Sequence, residues 1–369
     1  MSTTETLQTD PLVQPTAYRV AQLSRDDRLF HIILAQQFDS ELIETLCRLA
    51  EMIRNIADTK RGNQFLRSLL AHKRAMLYFI QPSTRTFLSF SAACQILGIP
   101  YNEVRNPSTS SEIKGETEDD TVHVLSQYFD LIIMRHPMEG FAERMAYKLN
   151  ASPRPIPIIN GGSGKDQHPT QAMLDIYTLL RSFEPRLADR VRPMLSGNPF
   201  QGRTIAFVGD LKRGRTVRSL CYLLCRYSGM RLVFVSPPEL SMGDDIVEYL
   251  DRNGIHHEEC DDLNAIIREC DAVYMTRLQD EYDKAGESRA IDYYKYSLTL
   301  EMVERAKPDL VIMHPLPRRA ELDVQIDDDP RAKYWAQVRN GMWMRAAMIA
   351  YIFNTDATII DHYQTHYTT

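Results

Sequence analysis

The sequence predicts an α/β protein built from two doubly wound parallel sheets, one in each of two domains. Seven short, continuously apolar runs alternate with segments in which apolar residues have helical spacing. Strands that are apolar on both faces are typical of parallel sheets covered by helices on both sides. The chain has 369 residues, which is long for a single hydrophobic core. The stretch 183–203, rich in proline and glycine, interrupts the alternation and is the predicted linker.

The predicted elements follow from the period of the apolar residues along the chain. Strands are predicted from short aliphatic and aromatic runs at 76–80, 131–135, 155–159, 204–208, 231–235, 272–276 and 309–313. Helices are predicted from helical spacing at 84–97, 117–129, 169–182, 215–228, 243–253, 262–268 and 299–306. Two more helices flank this pattern: 40–58, which Asp39 or Ser40 can cap, and the apolar closing helix 341–354. Residues 1–27 are polar and weakly patterned, which predicts a mobile N-terminal extension.

Composition and charge describe an ordinary globular protein and disfavour some function classes. Hydrophobic residues make up 44% and charged residues 25% of the chain, and the net charge is −6. This acidic balance argues against nucleic acid as the main partner, so an anionic ligand needs local positive charge. The chain shows no long apolar run and no basic-then-apolar start, so we expect neither a membrane partner nor a signal peptide. The six cysteines lack zinc-type pairing with histidine, which favours reduced thiols and a cytoplasmic location.

Polar side chains collect directly after six of the predicted strands. The clusters are Ser83 to Thr86, Arg135 to Pro137, Gly161 to Gln171, Gly209 to Thr216, Thr276 to Gln279 and His314 to Arg318. In an open parallel sheet, ligands bind beyond the carboxyl ends of the strands. Strand ends that carry so many Arg, His, Gln and Pro residues therefore indicate one shared cleft for an anionic substrate.

Ser83-Thr84-Arg85-Thr86 is the most informative of these clusters. It lies where the strand 76–80 leads into the N-terminus of the helix 84–97. Unpaired backbone N–H groups and the helix dipole favour an anion at such a point, and a guanidinium binds phosphate oxygens in a fork. Taken alone, the segment is equally consistent with a phosphate cradle that lacks a glycine-rich loop and with an ordinary N-cap cluster.

Six motifs that occur in the order of a known family make the chain recognisable. They are Ser83 to Thr86, Lys114 to Thr117 with Asp120-Thr121, Met134 to Pro137, His168 to Gln171, Gly209 to Thr216, and His314 to Arg318. With them the chain closely resembles the aspartate/ornithine carbamoyltransferase family, and its aspartate branch in particular, from about residue 28 to the end. The resemblance implies an active site in the cleft between two domains. These are a carbamoyl phosphate-binding domain at 28–167 and an aspartate-binding domain at 168–340, with a C-terminal helix at 341–369 that returns to the first.

The resemblance implies a role for each residue of a carbamoyl phosphate site. The residues that would hold the phosphate are Ser83, Thr84, Arg85 and Thr86. Arg135 would bridge the phosphate and the carbonyl oxygen. His168 would donate, together with Thr86, toward that oxygen as negative charge develops on it. Gln171 and the backbone carbonyls of Pro315 and Leu316 would bind the carbamoyl NH₂ group.

The second substrate implied by the resemblance is L-aspartate. Arg215 matches the family residue that binds its α-carboxylate, and Arg277 and Gln279 match the pair that binds its β-carboxylate. Pro317 and Lys114 belong to the same implied aspartate site. Arg277 argues against ornithine as the acceptor, because a guanidinium repels its ammonium group.

The resemblance also implies an assembly and the absence of a cofactor. Ser110 and Lys114 match residues that reach into the active site of the neighbouring subunit, which makes a homotrimer the smallest complete enzyme. Whether trimers assemble further, with regulatory or other pyrimidine-pathway chains, stays open. Neither a metal nor an organic cofactor is implied, since positioning and electrostatic stabilisation carry the reaction.

The function implied is transfer of the carbamoyl group of carbamoyl phosphate to L-aspartate in pyrimidine biosynthesis. Two alternatives stay open: a carbamoyltransferase for another amino acid, and a non-catalytic homologue that acts as an assembly scaffold. The scaffold is disfavoured because every implied phosphate and carbonyl contact is present in the sequence. A nicotinamide dehydrogenase is disfavoured because no Gly-x-Gly-x-x-Gly follows a strand.

Overall fold

The computed structural model describes residues 11–105, 116–164, 167–189, 195, 197–277 and 293–367. The chain divides into two compact units. The first comprises Met1–Met173, Leu187–Met194 and Gly341–Thr369, and the second comprises Leu174–Arg186 and Leu195–Asn340. The predicted boundaries at residues 27, 167 and 340 stay predictions, and we note that His168 falls in the first unit.

The first unit alternates strands and helices through most of its length. Its elements are α1 (Thr16–Gln22), β1 (Ser24–Arg25), β2 (Arg28–Leu29), α2 (Ser40–Ile56), α3 (Lys60–Leu69), β3 (Ala75–Phe79), α4 (Thr84–Ile96), β4 (Tyr101–Val104), α5 (Glu118–Tyr128), β5 (Leu131–His136), α6 (Phe141–Asn150), β6 (Ile158–Ser163) and the start of α7 (Pro169–Phe183). Asp39 caps α2, because its side chain accepts a hydrogen bond from the Leu42 N–H.

The second unit continues the same alternation. Its elements are the rest of α7, then β7 (Thr204–Val208), α8 (Arg215–Leu224), β8 (Arg231–Val235), α9 (Asp244–Arg252), β9 (His256–Cys260), α10 (Leu263–Ile266), β10 (Ala272–Met275), α11 (Leu300–Arg305), β11 (Val311–Met313) and the start of α12 (Tyr334–Ile352). The end of α12 and all of α13 (Asp356–Tyr367) belong to the first unit.

The sheet of the first unit is parallel, with strand order β4-β3-β5-β6. Strands β3 and β5 pair so that Phe79 lies opposite Arg135. Every residue of both strands is buried, which explains their apolar runs. The chain places β4 on one side of β3 and then β5 on the other, so the strand order reverses between β3 and β5. Open sheets bind ligands at such a switch point, beyond the carboxyl ends of the two strands.

The sheet of the second unit is also parallel, with strand order β11-β10-β7-β8-β9. Its central strands β7 and β10 pair with Ile205 opposite Ala272, and every residue in both is buried. Val208, Val233 and Met275 belong to one apolar core that covers this sheet. Here the strand order reverses between β7 and β10, which gives the second unit its own switch point.

The predicted doubly wound α/β fold with parallel sheets is correct. Predicted strands 204–208 and 231–235 match β7 and β8 residue for residue, whereas 155–159 is displaced to β6. The sequence did not reveal β4 or β9, because edge strands face solvent and lack the apolar run of a central strand. Within the described residues, no helix combines the length and apolar composition needed to cross a bilayer.

Part of the predicted N-terminal extension packs firmly onto the first unit. Arg19 of α1 donates two hydrogen bonds, of 2.7 and 2.6 Å, to the buried carboxylate of Glu143 in α6. Leu23 is fully buried within the apolar core of this unit. A bidentate guanidinium–carboxylate pair and a core leucine fix this segment in place. The expected mobility is therefore wrong for the residues from Thr16 to Leu23, which are held by contacts distant in the sequence.

His31 is a buried histidine that folding holds neutral. Its Nε2 lies 3.0 Å from Asn150 Oδ1, and its Nδ1 accepts the Ile158 N–H at 3.0 Å. The ring therefore carries its proton on Nε2. A second proton, on Nδ1, would break the hydrogen bond from the Ile158 N–H. Burial is the main cause that lowers the pKa of His31 to about 4, and the hydrogen bond to Asn150 opposes it only in part.

We expect His31 to make the first unit sensitive to mild acid. Because its pKa is lower in the folded state than the unfolded value, the unfolded state binds the proton first, and stability falls as the pH drops below about 6.5 toward about 4. Between about pH 7 and about pH 5 the loss is about 2 kcal/mol. Urea unfolding at both pH values measures it. The His31→Gln variant, which cannot titrate, should lack this part of the pH dependence, and an unchanged dependence contradicts the assignment.

Candidate active site

The carboxyl ends of β3 and β5 are joined at the switch point of the first sheet. The Gln81 N–H donates to the Arg135 carbonyl at 3.1 Å, so the chain beyond β3 stays beside β5. The pairing of β5 with β6 shifts register between Met134 and His136, on either side of Arg135. Such irregularities redirect side chains near binding sites. The backbone thus brings the segment after β3 next to Arg135.

Ser83 is the residue before α4, but its side chain does not cap that helix. Thr84 and Arg85 of the first turn are exposed, whereas Thr86 is buried. An ordinary N-cap serine would accept a hydrogen bond from a backbone N–H of this turn. Its absence favours the phosphate cradle over the simple capping cluster, because the N-terminus of this 13-residue helix stays available for an anion.

Arg135 is a nearly buried cation held by the strand beside it. Its side chain is 7% exposed, and Nη1 donates to the Gly161 carbonyl at 2.9 Å. At Gly162 the backbone has φ +111°, and a Cβ there would lie 2.5 Å from Nη1 of Arg135. The glycine is therefore required by both backbone conformation and close packing. A guanidinium held in this way has a fixed orientation.

His168 lies at the same place, immediately before α7. It is 4% exposed, and its Nε2 lies 3.5 Å from Oγ1 of Thr86. A Cβ on Gly162 would lie 3.2 Å from Cδ2 of His168 as well as 2.5 Å from Nη1 of Arg135, so both side chains pack against this glycine. The first unit thus brings together three predicted site residues from three separate segments. Gln171 lies in the first turn of α7 and is partly exposed.

The carboxyl ends of β7 and β10 converge at the switch point of the second sheet. Gly209 has φ +112°, and a Cβ there would lie 2.2 Å from the Thr276 carbonyl oxygen, so only glycine allows this approach. Thr276 donates from its N–H and its Oγ1 to the Val208 carbonyl, both at 2.8 Å. Arg215 is the first residue of α8 and Arg277 follows Thr276, so both arginines lie close in sequence to this convergence, and both are partly exposed.

Two basic residues in the loop before α8 differ in role. The sequence suggests that Lys212 and Arg213 form a solvated patch. Arg213 instead pairs with the fully buried carboxylate of Asp210. The backbone N–H of Arg213 donates to Oδ1 of Asp210 at 3.0 Å, and Nη1 of Arg213 lies 3.5 Å from Oδ2. The prediction is therefore wrong for Arg213, which stabilises the loop, while Lys212 stays exposed.

Pro315 and Leu316 lie in the turn that follows β11, and both are partly exposed, while Pro317 is exposed. Leu316 has φ +57°, an uncommon conformation for a residue with a side chain. The predicted site residues Ser110, Lys114 and Gln279 lie outside the described residues.

Within each unit, the sequence did not reveal some residues that hold the predicted site residues or their neighbours in place. Gly162 was seen as part of a polar cluster but not as the packing surface of Arg135, although a Gly-Gly pair after a strand is a usable signal. Glu321, which contacts His314, gave no signal in the sequence, because the six residues between them form an irregular turn. The burial of Asp210 could not be predicted, because it depends on tertiary structure and the sequence shows only an acidic residue in a loop.

Comparisons with known proteins agree with these two units. Residues 31–181 match the family described as aspartate/ornithine carbamoyltransferase, carbamoyl-P binding domain, and residues 201–352 match its Asp/Orn binding domain. The chain is 39% identical over 328 residues to aspartate carbamoyltransferase 1, chloroplastic, of Pisum sativum, covering 87% of this chain and 78% of the relative. It is 39% identical over 324 residues to the aspartate carbamoyltransferase catalytic subunit of Chromobacterium violaceum, covering 88% and 98%.

Solved structures give the same result. Aspartate transcarbamoylase from Trypanosoma cruzi, solved with carbamoyl aspartate and phosphate, superposes with a TM-score of 0.76 at 34% identity, covering 86% of this chain and 94% of that one. The catalytic subunit of M. jannaschii aspartate transcarbamoylase has a TM-score of 0.72 at 35% identity, covering 89% and 99%. With both domain models matched and relatives aligned over most of its length, this chain belongs to the aspartate/ornithine carbamoyltransferase family.

Proposed function

We propose that this chain catalyses transfer of the carbamoyl group from carbamoyl phosphate to L-aspartate, which yields N-carbamoyl-L-aspartate and phosphate for pyrimidine biosynthesis. The observation that carries the proposal is the convergence of Arg135, Thr86 and His168 around Gly162, beside the open N-terminus of α4. This arrangement offers cationic and neutral donors to one small anion that also has a carbonyl oxygen.

Carbamoyl phosphate would bind with its phosphate at the N-terminus of α4. There, Ser83, Thr84 and Arg85 would contact the phosphate oxygens. Arg135 would span phosphate and carbonyl oxygen, and His168 would stabilise the charge that develops on the carbonyl oxygen. Because Arg135 and His168 are nearly buried and held by packing, they need little reorganisation when the charge develops.

Aspartate would bind through the guanidiniums of the second unit, Arg215 and Arg277. The Trypanosoma cruzi enzyme has been solved with carbamoyl phosphate and aspartate together, and relatives of this chain are named for aspartate. Two guanidiniums at one switch point suit a dicarboxylic amino acid, whereas the ammonium side chain of ornithine would be repelled. Aspartate is therefore the favoured acceptor over other amino acids.

The chemical step follows from these contacts. The neutral amine of aspartate attacks the carbonyl carbon of carbamoyl phosphate, and a new C–N bond forms. The tetrahedral intermediate places negative charge on the oxygen near His168 and Arg135, which stabilise it. The C–O bond to phosphate then breaks, and a phosphate oxygen accepts the amine proton.

A product assay tests this proposal directly. Carbamoyl phosphate labelled with ¹³C is mixed with the protein and either aspartate or ornithine, and the products are resolved by NMR. We expect labelled N-carbamoyl-aspartate with aspartate and no citrulline with ornithine. Product with ornithine alone would identify a different carbamoyltransferase, and no product with any amino acid would favour the scaffold.

We expect Arg277→Ala to affect aspartate and not carbamoyl phosphate. The KM for aspartate should rise about 100-fold, because a charge-assisted, two-pronged contact is lost. Carbamoyl phosphate affinity, measured by calorimetry without aspartate, should not change. Arg231→Ala is a matched control, since that arginine pairs with Glu258 and Glu269 at the opposite end of the same sheet. An equal loss of affinity for both substrates contradicts the assigned role.

We also propose that the active form is a homotrimer in which Ser110 and Lys114 of one subunit complete the neighbour's site. The support is the match of both residues to the family motifs. Light scattering measures the assembly, and mixing Arg85→Ala with Lys114→Ala protein tests the sharing. Recovery of activity in the mixture is expected, since some hybrid sites combine two intact residues; no recovery contradicts a shared site.

We propose a cytoplasmic location for this chain. The support is its cysteines, since all six are free and four of them are buried. The pea and rice relatives are named as chloroplastic, so location differs within the family. Fractionation of the source cells with an antibody against the chain tests this, and recovery in an organelle fraction contradicts it.

A further inference from the structure

The carboxyl end of β6 contacts two of the proposed site residues at once. The Gly161 carbonyl accepts a hydrogen bond from Nη1 of Arg135 at 2.9 Å. A Cβ on Gly162 would lie 2.5 Å from Nη1 of Arg135 and 3.2 Å from Cδ2 of His168. Because both side chains pack against this glycine, the course of the backbone at residues 161 and 162 determines where they lie.

Asn160 holds this backbone through its side-chain oxygen. Oδ1 of Asn160 accepts the Gly162 N–H at 2.8 Å and the Ser163 hydroxyl at 3.0 Å. Asn160 and Ser163 are each 2% exposed, so bulk water does not compete for these hydrogen bonds. A hydrogen bond from an asparagine side chain to the N–H two residues later forms an Asx turn, which fixes the local course of the chain.

This Asx turn sets the direction of the Gly161 carbonyl. The Gly161 carbonyl and the Gly162 N–H belong to one planar peptide unit, and in a trans peptide such as this one they point in opposite directions. Asn160 binds the N–H on one side of the unit, and Arg135 binds the carbonyl on the other. Rotation of the peptide would break both hydrogen bonds together. Asn160 therefore keeps the acceptor of Arg135 in place.

Asn160 is itself anchored to the segment that runs beside β6. Its Nδ2 donates to the Ile33 carbonyl at 3.2 Å, and its backbone N–H donates to the Ile32 carbonyl at 2.7 Å. Ile32 also forms a parallel bridge with Ile159, and Ile32 and Ile33 are buried. The side-chain amide thus uses its oxygen for the end of β6 and its nitrogen for the neighbouring segment. A carboxylate would lack the donor for the second contact.

His168 has an anchor that does not involve this asparagine. Gln167, directly before it, is 6% exposed, and its Oε1 accepts the Ala35 N–H at 2.7 Å. Arg135 is instead bound by the Gly161 carbonyl, whose direction Asn160 sets. Loss of the Asn160 side chain should therefore displace Arg135 more than His168.

We propose that Asn160 is a positioning residue for Arg135, which holds the guanidinium in the orientation that binds the phosphate end of carbamoyl phosphate. This rests on the proposed function, in which Arg135 contacts the phosphate and the carbonyl oxygen. Asn160 and Arg135 belong to the same unit. Asn160 touches no substrate in this role, so its effect on binding should depend on the presence of Arg135.

The affinity for phosphonoacetamide measures this role in the first unit. This ligand is an analogue of carbamoyl phosphate with a phosphonate and an amide, and it carries no aspartate. For Asn160→Ala we expect its dissociation constant, from titration calorimetry, to rise about tenfold. Asn55→Ala is the matched control, because Asn55 is a buried asparagine of the same unit whose Nδ2 donates to the Tyr363 hydroxyl at 3.0 Å. It should reduce stability and leave this dissociation constant unchanged.

A double-mutant cycle separates positioning from a general loss of structure. The ligand for the cycle is N-(phosphonacetyl)-L-aspartate, whose aspartate end adds affinity and so keeps binding measurable without Arg135. Asn160→Ala should weaken it about tenfold in unmodified and in Arg277→Ala protein, but less than about twofold in Arg135→Ala protein. With Arg135 absent, the Gly161 carbonyl has no guanidinium to hold. A loss of the same size in Arg135→Ala protein, or no loss in unmodified protein, overturns the inference.

Asn160→Ser provides the test if Asn160→Ala does not fold. A serine hydroxyl can accept the Gly162 N–H, though more weakly, and it is too short to reach the Ile33 carbonyl as well. We expect the dissociation constant of phosphonoacetamide to rise about threefold. The matching loss for N-(phosphonacetyl)-L-aspartate should disappear in Arg135→Ala protein, and a loss that persists there contradicts the positioning role.

Failure of this inference differs from failure of the proposed function. If unmodified protein binds both ligands and makes N-carbamoyl-aspartate, but the effect of Asn160→Ala does not depend on Arg135, only the positioning role is wrong. If unmodified protein binds neither ligand and makes no product, the proposed function fails, and the inference fails with it.

Discussion

Arg135→Ala is expected to lower kcat/KM for carbamoyl phosphate about 1,000-fold, the largest effect of any single substitution proposed here. The nearly buried guanidinium donates to the Gly161 carbonyl at 2.9 Å. In the proposed role it would supply the positive charge between the phosphate and the carbonyl oxygen. Its loss removes stabilisation of both substrate and transition state, so KM should rise and kcat should fall. Steady-state phosphate release at varied carbamoyl phosphate measures both constants.

Arg154→Ala is the control for this change, because Arg154 binds Asp130 and backbone carbonyls of the same unit at a distance from the motifs. It should reduce stability and leave kcat/KM within about threefold. Gly162→Ala tests the position of Arg135 without removing its charge, because the added Cβ would lie 2.5 Å from Nη1 and would displace the guanidinium. We expect kcat/KM to fall at least about tenfold. If Arg135→Ala and Arg154→Ala lose the same activity, Arg135 has no specific role.

The second large effect is expected for His168→Ala, which should lower kcat about 100-fold with a smaller change in carbamoyl phosphate affinity. His168 would act mainly when charge develops on the carbonyl oxygen, so its loss should appear in kcat more than in binding. Single-turnover measurement of product formation separates this step from product release.

His168→Asn provides the matched variant, because an amide retains an N–H donor at a similar position. It should recover about tenfold of the activity lost in His168→Ala. Thermal unfolding of both variants controls for packing, since His168 lies against Thr86 and Gly162. Equal activity of the alanine and asparagine variants contradicts a donor role for this histidine.

The central strands and the site motifs could be predicted from the sequence because their signals are local. Buried strands such as β7 and β8 are continuous apolar runs, and polar residues follow them at once. Arg135 and Arg277 could be predicted to lie at ligand-binding edges because each lies at or just beyond the carboxyl end of a strand. Their individual roles come from the family resemblance and stay predictions.

What the sequence could not predict depends on contacts distant along the chain. The packing of α1 could not be predicted from its own polar sequence, because it depends on the pairing of Arg19 with Glu143, 124 residues away. The tautomer of His314 depends on Glu321, and the direction of Arg135 depends on the close approach of Gly162. The charged edge strand β9 lacks an apolar run, so its pairing with β8 could not be read from composition.

The central claim is the pair of proposed roles in which Arg135 binds carbamoyl phosphate and Arg277 binds aspartate, and titration with N-(phosphonacetyl)-L-aspartate tests both roles most directly. This ligand joins a phosphonate and an aspartate, and it has been solved bound to the Trypanosoma cruzi relative. Arg135→Ala and Arg277→Ala should each weaken its binding about 100-fold, whereas only Arg135→Ala should weaken phosphonoacetamide. Unchanged affinity for N-(phosphonacetyl)-L-aspartate in Arg277→Ala would contradict the claim.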